Sequence, residues 1–158
     1  MPRLLAEFFR RDRALATVAA LHLVLLLAFV LFGLVDERTI TGVNAWLKPA
    51  KFAASIAIYL GTLAWFMPLV AGWANAKAVV RWTAITTMII EIVCIAGQAA
   101  RGTTSHFNNA TALEGAVFSL MGMGVLANTL AMAIFLALLY LGPAKVPPVG
   151  GAIWWEWN

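Results

Sequence analysis

Six polar residues able to carry protons or bind anions gather between positions 91 and 108, at the end of an otherwise apolar run. They are Glu91, Gln98, Arg101, Ser105, His106 and Asn108. A carboxylate and an imidazole exchange protons when their surroundings tune them, and a guanidinium binds anionic groups. We therefore expect any ligand binding or chemistry to lie in this segment.

Glu91 is unusual because the residues around it are apolar enough to cross a membrane. An ionised carboxylate without a partner is costly there, so we expect Glu91 to be protonated, paired or hydrated. Its expected partners at a similar depth are Tyr59 and Asn128, while His22 approaches from the other side and would form a coupled titrating pair with it. A protonated Glu91 with a purely structural hydrogen bond is the open alternative.

The composition places this chain in the lipid bilayer. Hydrophobic residues make up 63% of it and charged residues only 11%, which is far from the composition of a soluble domain. Runs long enough to cross a bilayer as helices cover residues 14–35, 52–73, 79–100 and 112–141. We predict an all-α polytopic membrane protein, a four-transmembrane-helix bundle with short loops, as one integral membrane domain. Its aromatic tail, residues 142–158, is expected at the membrane interface.

The distribution of basic residues predicts the orientation, since short cytoplasmic segments carry an excess of Lys and Arg. One side of the predicted membrane would hold Arg3, Arg10, Arg11, Arg13, Lys77, Arg81 and Lys145, and the other Arg38, Lys48, Lys51 and Arg101. Seven against four predicts that both termini lie in the cytoplasm. The net charge of +4 then reflects topology, and no nucleic-acid partner is expected.

Helical spacing predicts which way the third span faces. At about 100° per residue, one side holds Thr83, Thr87, Glu91, Cys94, Gln98 and Arg101. The opposite side holds Ile85, Ile89, Ile92 and Ala96. We expect the polar side to face the bundle interior and the isoleucine side to face lipid. A weaker polar face on the second span holds Lys51, Ser55, Tyr59 and Thr62.

Cations are expected at the outer mouth of this polar track. Lys48, Lys51 and Arg101 would together attract an anionic headgroup or a small anion. Alternatively, Arg101 only binds the last carbonyl groups of its own helix. Glu114, three residues after Thr111, fits a helix cap.

The sequence gives little support for a cofactor site. His106 has no second histidine on its side, and a metal centre needs several ligands, so we expect no metal site. A bis-histidine haem would need His22 and His106 at one depth, whereas they are predicted at different depths. A single axial ligand at His22 stays open, so the cofactor is unknown.

The segments W-L-K-P-A-K-F (residues 46–52) and Q-A-A-R-G-T-T-S-H-F-N (residues 98–108) carry a resemblance. The chain resembles a group of bacterial multi-pass integral membrane proteins in which W-L-K-P-x-K-F opens a helix and Q-x-x-R-G-x-x-S-H-F-N closes a later one. The resemblance implies a shared outer-face constellation of Trp46, Lys48, Lys51, Gln98, Arg101, Ser105, His106 and Asn108. It also implies a bacterial inner (plasma) membrane as the location of this multi-pass chain, and it implies no activity.

These observations leave three functional hypotheses. We favour a binding or translocation module that responds to protons or a small ligand through an outward-opening polar cavity above Glu91. The alternative is an accessory subunit of a larger, energy-transducing membrane complex, and under either hypothesis a homo-oligomer or larger assembly is expected. An intramembrane enzyme using His106 with Glu91 or Glu114 ranks lowest, because Glu91 is expected about 15 Å below Arg101, too deep to reach His106.

Overall fold

The structure is a computed structural model that describes residues 2–142. A short helix, α1 (Pro2–Arg11), precedes four long ones: α2 (Arg13–Val35), α3 (Leu47–Phe66), α4 (Ala74–Ala100) and α5 (Ala112–Leu141). A two-stranded antiparallel hairpin, β1 (Thr39–Ile40) with β2 (Val43–Asn44), joins α2 to α3. Residues 143–158, with Lys145 and the tryptophans of the predicted interfacial tail, lie outside the described residues.

The predicted all-α architecture with four membrane-length helices is confirmed. The candidate spans are Arg13–Val35, Leu47–Leu69, Ala74–Ala100 and Ala112–Leu141. The second and third begin earlier than predicted, because Lys48 and Lys77 lower the hydropathy of their first turns without interrupting the helix. Pro49 lies in the first turn of α3, where a proline is tolerated. Pro68 follows the end of α3, in the 3₁₀ turn Met67–Leu69.

The four long helices pack as two helical hairpins. α2 packs chiefly against α3, and α5 against α4, while α3 and α4 join the two hairpins. Alanines line the buried side of α2 and α3, and small residues allow helix backbones to approach closely. Fully buried Leu15, Leu60 and Val80 belong to the common core.

An ion pair joins the two hairpins at the end of the bundle where α2 begins and α5 finishes, which we call the terminal face. The Asp12 carboxylate accepts a hydrogen bond from Arg81 Nε at 2.7 Å. Asp12 also caps α2 by accepting from the Leu15 N–H at 3.2 Å. Its side chain is only 3% exposed, so this contact is a buried link between α2 and α4.

The opposite end, which we call the loop face, carries the connections 36–46 and 101–111. There Asp36 accepts hydrogen bonds from the Arg38 guanidinium and from the Trp46 indole. These bonds hold the pKa of Asp36 well below its usual range. Arg38 Nη1 also donates to the Ala100 carbonyl at 2.9 Å, so the first connection is fastened to the end of α4.

The buried arc of α4 is wider than predicted. Its polar residues Thr87, Glu91 and Gln98 face inward as expected. Ile85 and Ile92, predicted to face lipid, are also buried, with 4% of each exposed. The prediction for these two isoleucines is wrong because α4 packs on α3 as well as α5, so little more than one strip of its surface remains for lipid.

Candidate functional site

The connection between α4 and α5 changes the expected depth of the site. The chain reverses after α4 at Gly102, whose φ is 72°, a conformation that glycine adopts readily. The His106 ring then packs between Phe52 of α3 and Phe118 of α5. Its Nε2 lies 3.6 Å from Glu91 Oε1. The expectation that Glu91 lies too deep to reach His106 is therefore wrong, because the connection descends into the bundle.

His106 stands between a cation and a carboxylate. Lys48 Nζ lies 3.0 Å from Nδ1 and Ser105 Oγ 3.1 Å from the same atom. An ammonium group can only donate, so Nδ1 accepts and the ring hydrogen sits on Nε2, facing Glu91. The 3.6 Å separation exceeds a direct hydrogen bond, and it becomes a charge contact only when His106 is protonated. We call Lys48, His106 and Glu91 the relay.

The relay begins beside a cavity at the loop face. This cavity of about 90 Å³ is lined in part by Asn44, Lys48, Thr103 and Ser105. It exceeds the space that a water molecule requires, and its lining supplies the polar partners that water needs. Lys48 and Ser105, the two partners of His106 Nδ1, therefore both line this cavity.

Burial lowers the pKa of His106, and the positive charge of Lys48 lowers it further. The charged or titratable groups facing the ring are Lys48 from α3 and Glu91 from α4, while α5 contributes the apolar Phe118. The carboxylate acts in the opposite direction, but burial and the lysine dominate. His106 is consequently neutral at neutral pH.

We expect His106 to make the folded protein less stable as the pH falls below about 6.5. In that range the unfolded chain binds a proton at this histidine and the folded chain does not. The contribution of His106 to the free energy of unfolding is therefore complete above about pH 6.5, and it is lost as the pH falls through the lowered pKa of the folded state. Thermal unfolding in detergent at a series of pH values measures it. His106→Gln should flatten the acid-side loss of Tm, and an identical loss in both proteins would contradict the assignment.

Glu91 faces a second cavity on its other side. This cavity, of about 220 Å³, is lined in part by Ser55, Tyr59, Glu91 and Asn128. Tyr59 donates to Asn128 Oδ1 at 2.9 Å across the gap between α3 and α5. The structure thus brings together the three residues predicted at one depth, and Glu91, the last member of the relay, lines this cavity.

The predicted pair of His22 and Glu91 does not form. His22 is fully buried, and its Nδ1 donates to the Val18 carbonyl of its own helix at 2.8 Å. Within residues 2–142 its Nε2 has no hydrogen-bond partner. The prediction is wrong because α2 packs chiefly on α3, whereas Glu91 of α4 faces His106 and the cavity beside α5.

The three cations predicted at one mouth are divided by the fold. Lys48 turns inward into the relay. Arg101 donates to Gln98 Oε1 at 2.9 Å and to Glu114 Oε1 at 3.2 Å, which ties the end of α4 to the start of α5. Lys51 is exposed. The structure therefore does not bring the three together as one anion site.

The remaining predicted loop residues shape the connection. Thr111 accepts from the Glu114 N–H at 3.3 Å and its hydroxyl donates to the Glu114 carboxylate, which confirms the predicted helix cap. Asn108 donates to the Thr103 hydroxyl at 2.8 Å and to the Thr104 carbonyl at 3.0 Å. These bonds hold the fold of the connection that places His106.

Ser105, His106 and Glu91 follow one another in a way that resembles a hydrolytic triad, but the geometry does not support one. Ser105 is only 3% exposed, and the Nδ1 that would take its proton also accepts from Lys48. A nucleophile needs a free base and an open approach. Within residues 2–142 there is also no group of three or more acidic, His or Cys residues placed to hold a metal.

Sequence reasoning missed the aromatic walls of the site. Phe52 closes the W-L-K-P-A-K-F segment, so its position in that segment was an available signal. Phe118 lies in an apolar stretch of α5 and carries no signal of its own. The link between Asp12 and Arg81 was also missed, since its partners are 69 positions apart.

Comparisons of the chain with protein families, with curated proteins and with solved structures find no match. The resemblance drawn from the W-L-K-P-x-K-F and Q-x-x-R-G-x-x-S-H-F-N segments stays a prediction. The geometry of the site is therefore the basis on which a function can be inferred.

Proposed function

We propose that this protein is a membrane-embedded, proton-responsive binding module, in which protons pass between the loop face and Glu91. The observation that carries the proposal is the chain of contacts from Lys48 Nζ through His106 to Glu91 Oε1, with separations of 3.0 and 3.6 Å. It joins a polar cavity at the loop face to a carboxylate that is only 4% exposed.

His106 can move a proton because its two nitrogens face different groups. A proton arriving from the loop-face cavity binds Nδ1 and displaces the Lys48 ammonium from it. The imidazolium then releases the Nε2 proton to the Glu91 carboxylate, so that one proton enters the ring and one leaves it. The ring is left with its hydrogen on Nδ1. The starting tautomer returns when Glu91 gives its proton back to Nε2 and Nδ1 releases its own proton to the loop-face cavity.

Proton uptake changes the charge beside the 220 Å³ cavity. An ionised carboxylate at this depth needs compensation, and the cation of Lys48, acting through His106, provides it. Once Glu91 is protonated it can donate a hydrogen bond as well as accept one. Whatever occupies the cavity therefore meets a different wall in each protonation state, which couples proton binding to ligand binding.

The proposal places the loop face on the outer side of a bacterial inner membrane. The terminal face carries Arg10, Arg11, Arg13, Lys77 and Arg81 among its basic residues. On the loop face, Lys48 and Arg101 are turned towards His106 and Glu114. An excess of basic residues on the terminal face supports a cytoplasmic location for it.

Infrared difference spectroscopy after a pH jump tests the relay. A falling pH should produce the carbonyl band of a protonated carboxylic acid, and Glu91→Gln should remove that band. We expect His106→Gln to slow its appearance by about 100-fold or more, because a positioned proton carrier contributes that much to a transfer rate.

His22→Gln is the matched control, since it changes the other histidine, which lies outside the relay, and should leave the rate unchanged. Circular dichroism of each variant confirms that it is folded. An unchanged band in Glu91→Gln, or an unchanged rate in His106→Gln, would refute the proposal.

A further inference from the structure

A cleft runs between α3 and α5, and α4 contributes to its lining in the half beside Glu91. Its half nearer the loop face is the 220 Å³ cavity beside Glu91. Its other half is a cavity of about 380 Å³ whose lining includes Leu63, Phe66, Phe135 and Leu136. Tyr59 lines both halves, so they meet at this residue.

The cleft opens sideways, towards the space that lipid fills. Ser55 and Thr62 of α3 and Val125 of α5 line its two halves and are exposed. Leu136, also on α5, has 64% of its surface exposed. A molecule dissolved in the bilayer could enter without crossing either face of the protein.

The half beside Glu91 offers both kinds of hydrogen-bonding partner. Tyr59 donates to Asn128 Oδ1, which leaves the tyrosine oxygen as an acceptor. The Asn128 amide nitrogen makes no hydrogen bond to any residue between 2 and 142, so its two N–H groups remain as donors. Glu91 completes the set as an acceptor when it is ionised.

The charge of this half favours a neutral occupant. The carboxylate of Glu91 is offset by the Lys48 ammonium on the far side of His106. Because these two charges already balance, a cationic head would leave a net positive charge in the site. An anionic head would leave a net negative charge beside Glu91, and either charge would be buried without compensation. A head group with uncharged oxygen atoms meets neither cost.

The two volumes indicate the size of each part of the occupant. A buried apolar cavity of about 150 Å³ holds a benzene ring, so 220 Å³ accommodates a ring with polar substituents. The 380 Å³ half is lined by apolar and aromatic side chains and has the volume of an ordinary ligand pocket, about 300–1,000 Å³. It suits a hydrocarbon tail.

We infer that the cleft binds a neutral, membrane-soluble molecule that has a ring bearing hydroxyl or carbonyl oxygens and a hydrocarbon tail. The ring lies between Glu91 and Asn128, and the tail lies along Leu136. This inference deepens the proposed function by naming the class of ligand whose occupancy Glu91 senses, and it rests on that function for this link alone.

Calorimetric titration of the protein in lipid nanodiscs with 4-hexylresorcinol, a neutral dihydroxylated ring with an alkyl tail, tests the inference. We expect saturable binding at one site per chain. Asn128→Leu should weaken the affinity about tenfold, the effect of losing one or two hydrogen bonds. Tyr59→Phe, which removes the hydroxyl and keeps the ring, should weaken it several-fold and serves if the first variant does not fold.

Two tryptophan substitutions test the tail site. Leu136→Trp fills the apolar half and should weaken binding at least tenfold. Leu126→Trp places the same side chain on the same helix outside the cleft, at a residue with 61% of its surface exposed. It should leave the affinity unchanged.

Hexylbenzene, which lacks the hydroxyl groups, and benzyldimethylhexylammonium, which is cationic, should both bind at least tenfold more weakly. Equal binding of hexylbenzene, tighter binding of the cation, or equal losses in the two tryptophan variants would overturn the inference. If the probe binds and the variants have these effects but the infrared test fails, the relay is refuted and the binding site is retained. A successful infrared test without probe binding refutes the site and retains the relay.

Discussion

Replacing Asp12 with alanine is expected to lower the free energy of unfolding by about 3 kcal/mol. The substitution leaves the Arg81 guanidinium without its carboxylate partner, which now lies at 2.7 Å. It also removes the cap on the Leu15 N–H, which alone contributes about 1 kcal/mol. The expected total loss is at the low end of the range for breaking a buried ion pair, because Arg81 is 27% exposed and can turn towards lipid headgroups.

Unfolding in mixed micelles with increasing denaturing detergent measures this loss. Arg10→Ala is the matched control on the same face, because Arg10 pairs with Glu7 while 78% of its side chain is exposed. An exposed pair of this kind contributes about 0–1 kcal/mol. A loss in Asp12→Ala no larger than that in Arg10→Ala would show that the link between α2 and α4 does not stabilise the bundle.

Replacing Leu60 with alanine is expected to cost about 2 kcal/mol, the low end of the range for this substitution in a core. Leu60 is fully buried, so the change opens a cavity. In a bilayer the unfolded helix stays among lipid tails that are as apolar as leucine. The hydrophobic transfer contribution is therefore largely absent, and the expected loss comes mainly from the packing contacts that the leucine side chain no longer makes.

Ile58→Ala provides the comparison for Leu60→Ala on the same helix. Ile58 has 70% of its surface exposed and loses only contacts with lipid, so its expected effect is within about 0.5 kcal/mol. The same detergent unfolding assay measures both variants. Equal losses would mean that the side of α3 that we describe as core does not face the other helices.

The spans were predictable wherever hydropathy and helix boundaries coincide. α2 and α5 are apolar almost from end to end, so their bounds match the predicted ones closely. The starts of α3 and α4 were missed because a helix continues through a polar first turn for as long as its backbone hydrogen bonds are made. The cap at Thr111 was predictable because it depends on residues only three positions apart.

The site was predictable only in its periodic parts. The spacing along α4 placed Glu91 and Gln98 inward, and the helical rise placed Tyr59 and Asn128 at a common depth. The position of His106 follows no period, because it depends on how a connection packs between Phe52 and Phe118. Helical spacing alone also could not show which isoleucines of α4 face other helices, since that depends on the number of neighbours.

The division of the bundle into two hairpins has a consequence for the order in which the protein folds. The contacts within each hairpin are between neighbouring elements of the chain, so each can assemble soon after its second helix is synthesised. Lys48 belongs to the first hairpin, while Glu91 and His106 belong to the second. The proposed proton route is therefore completed only when the finished hairpins dock, and we expect a chain whose hairpins have not docked to lack it.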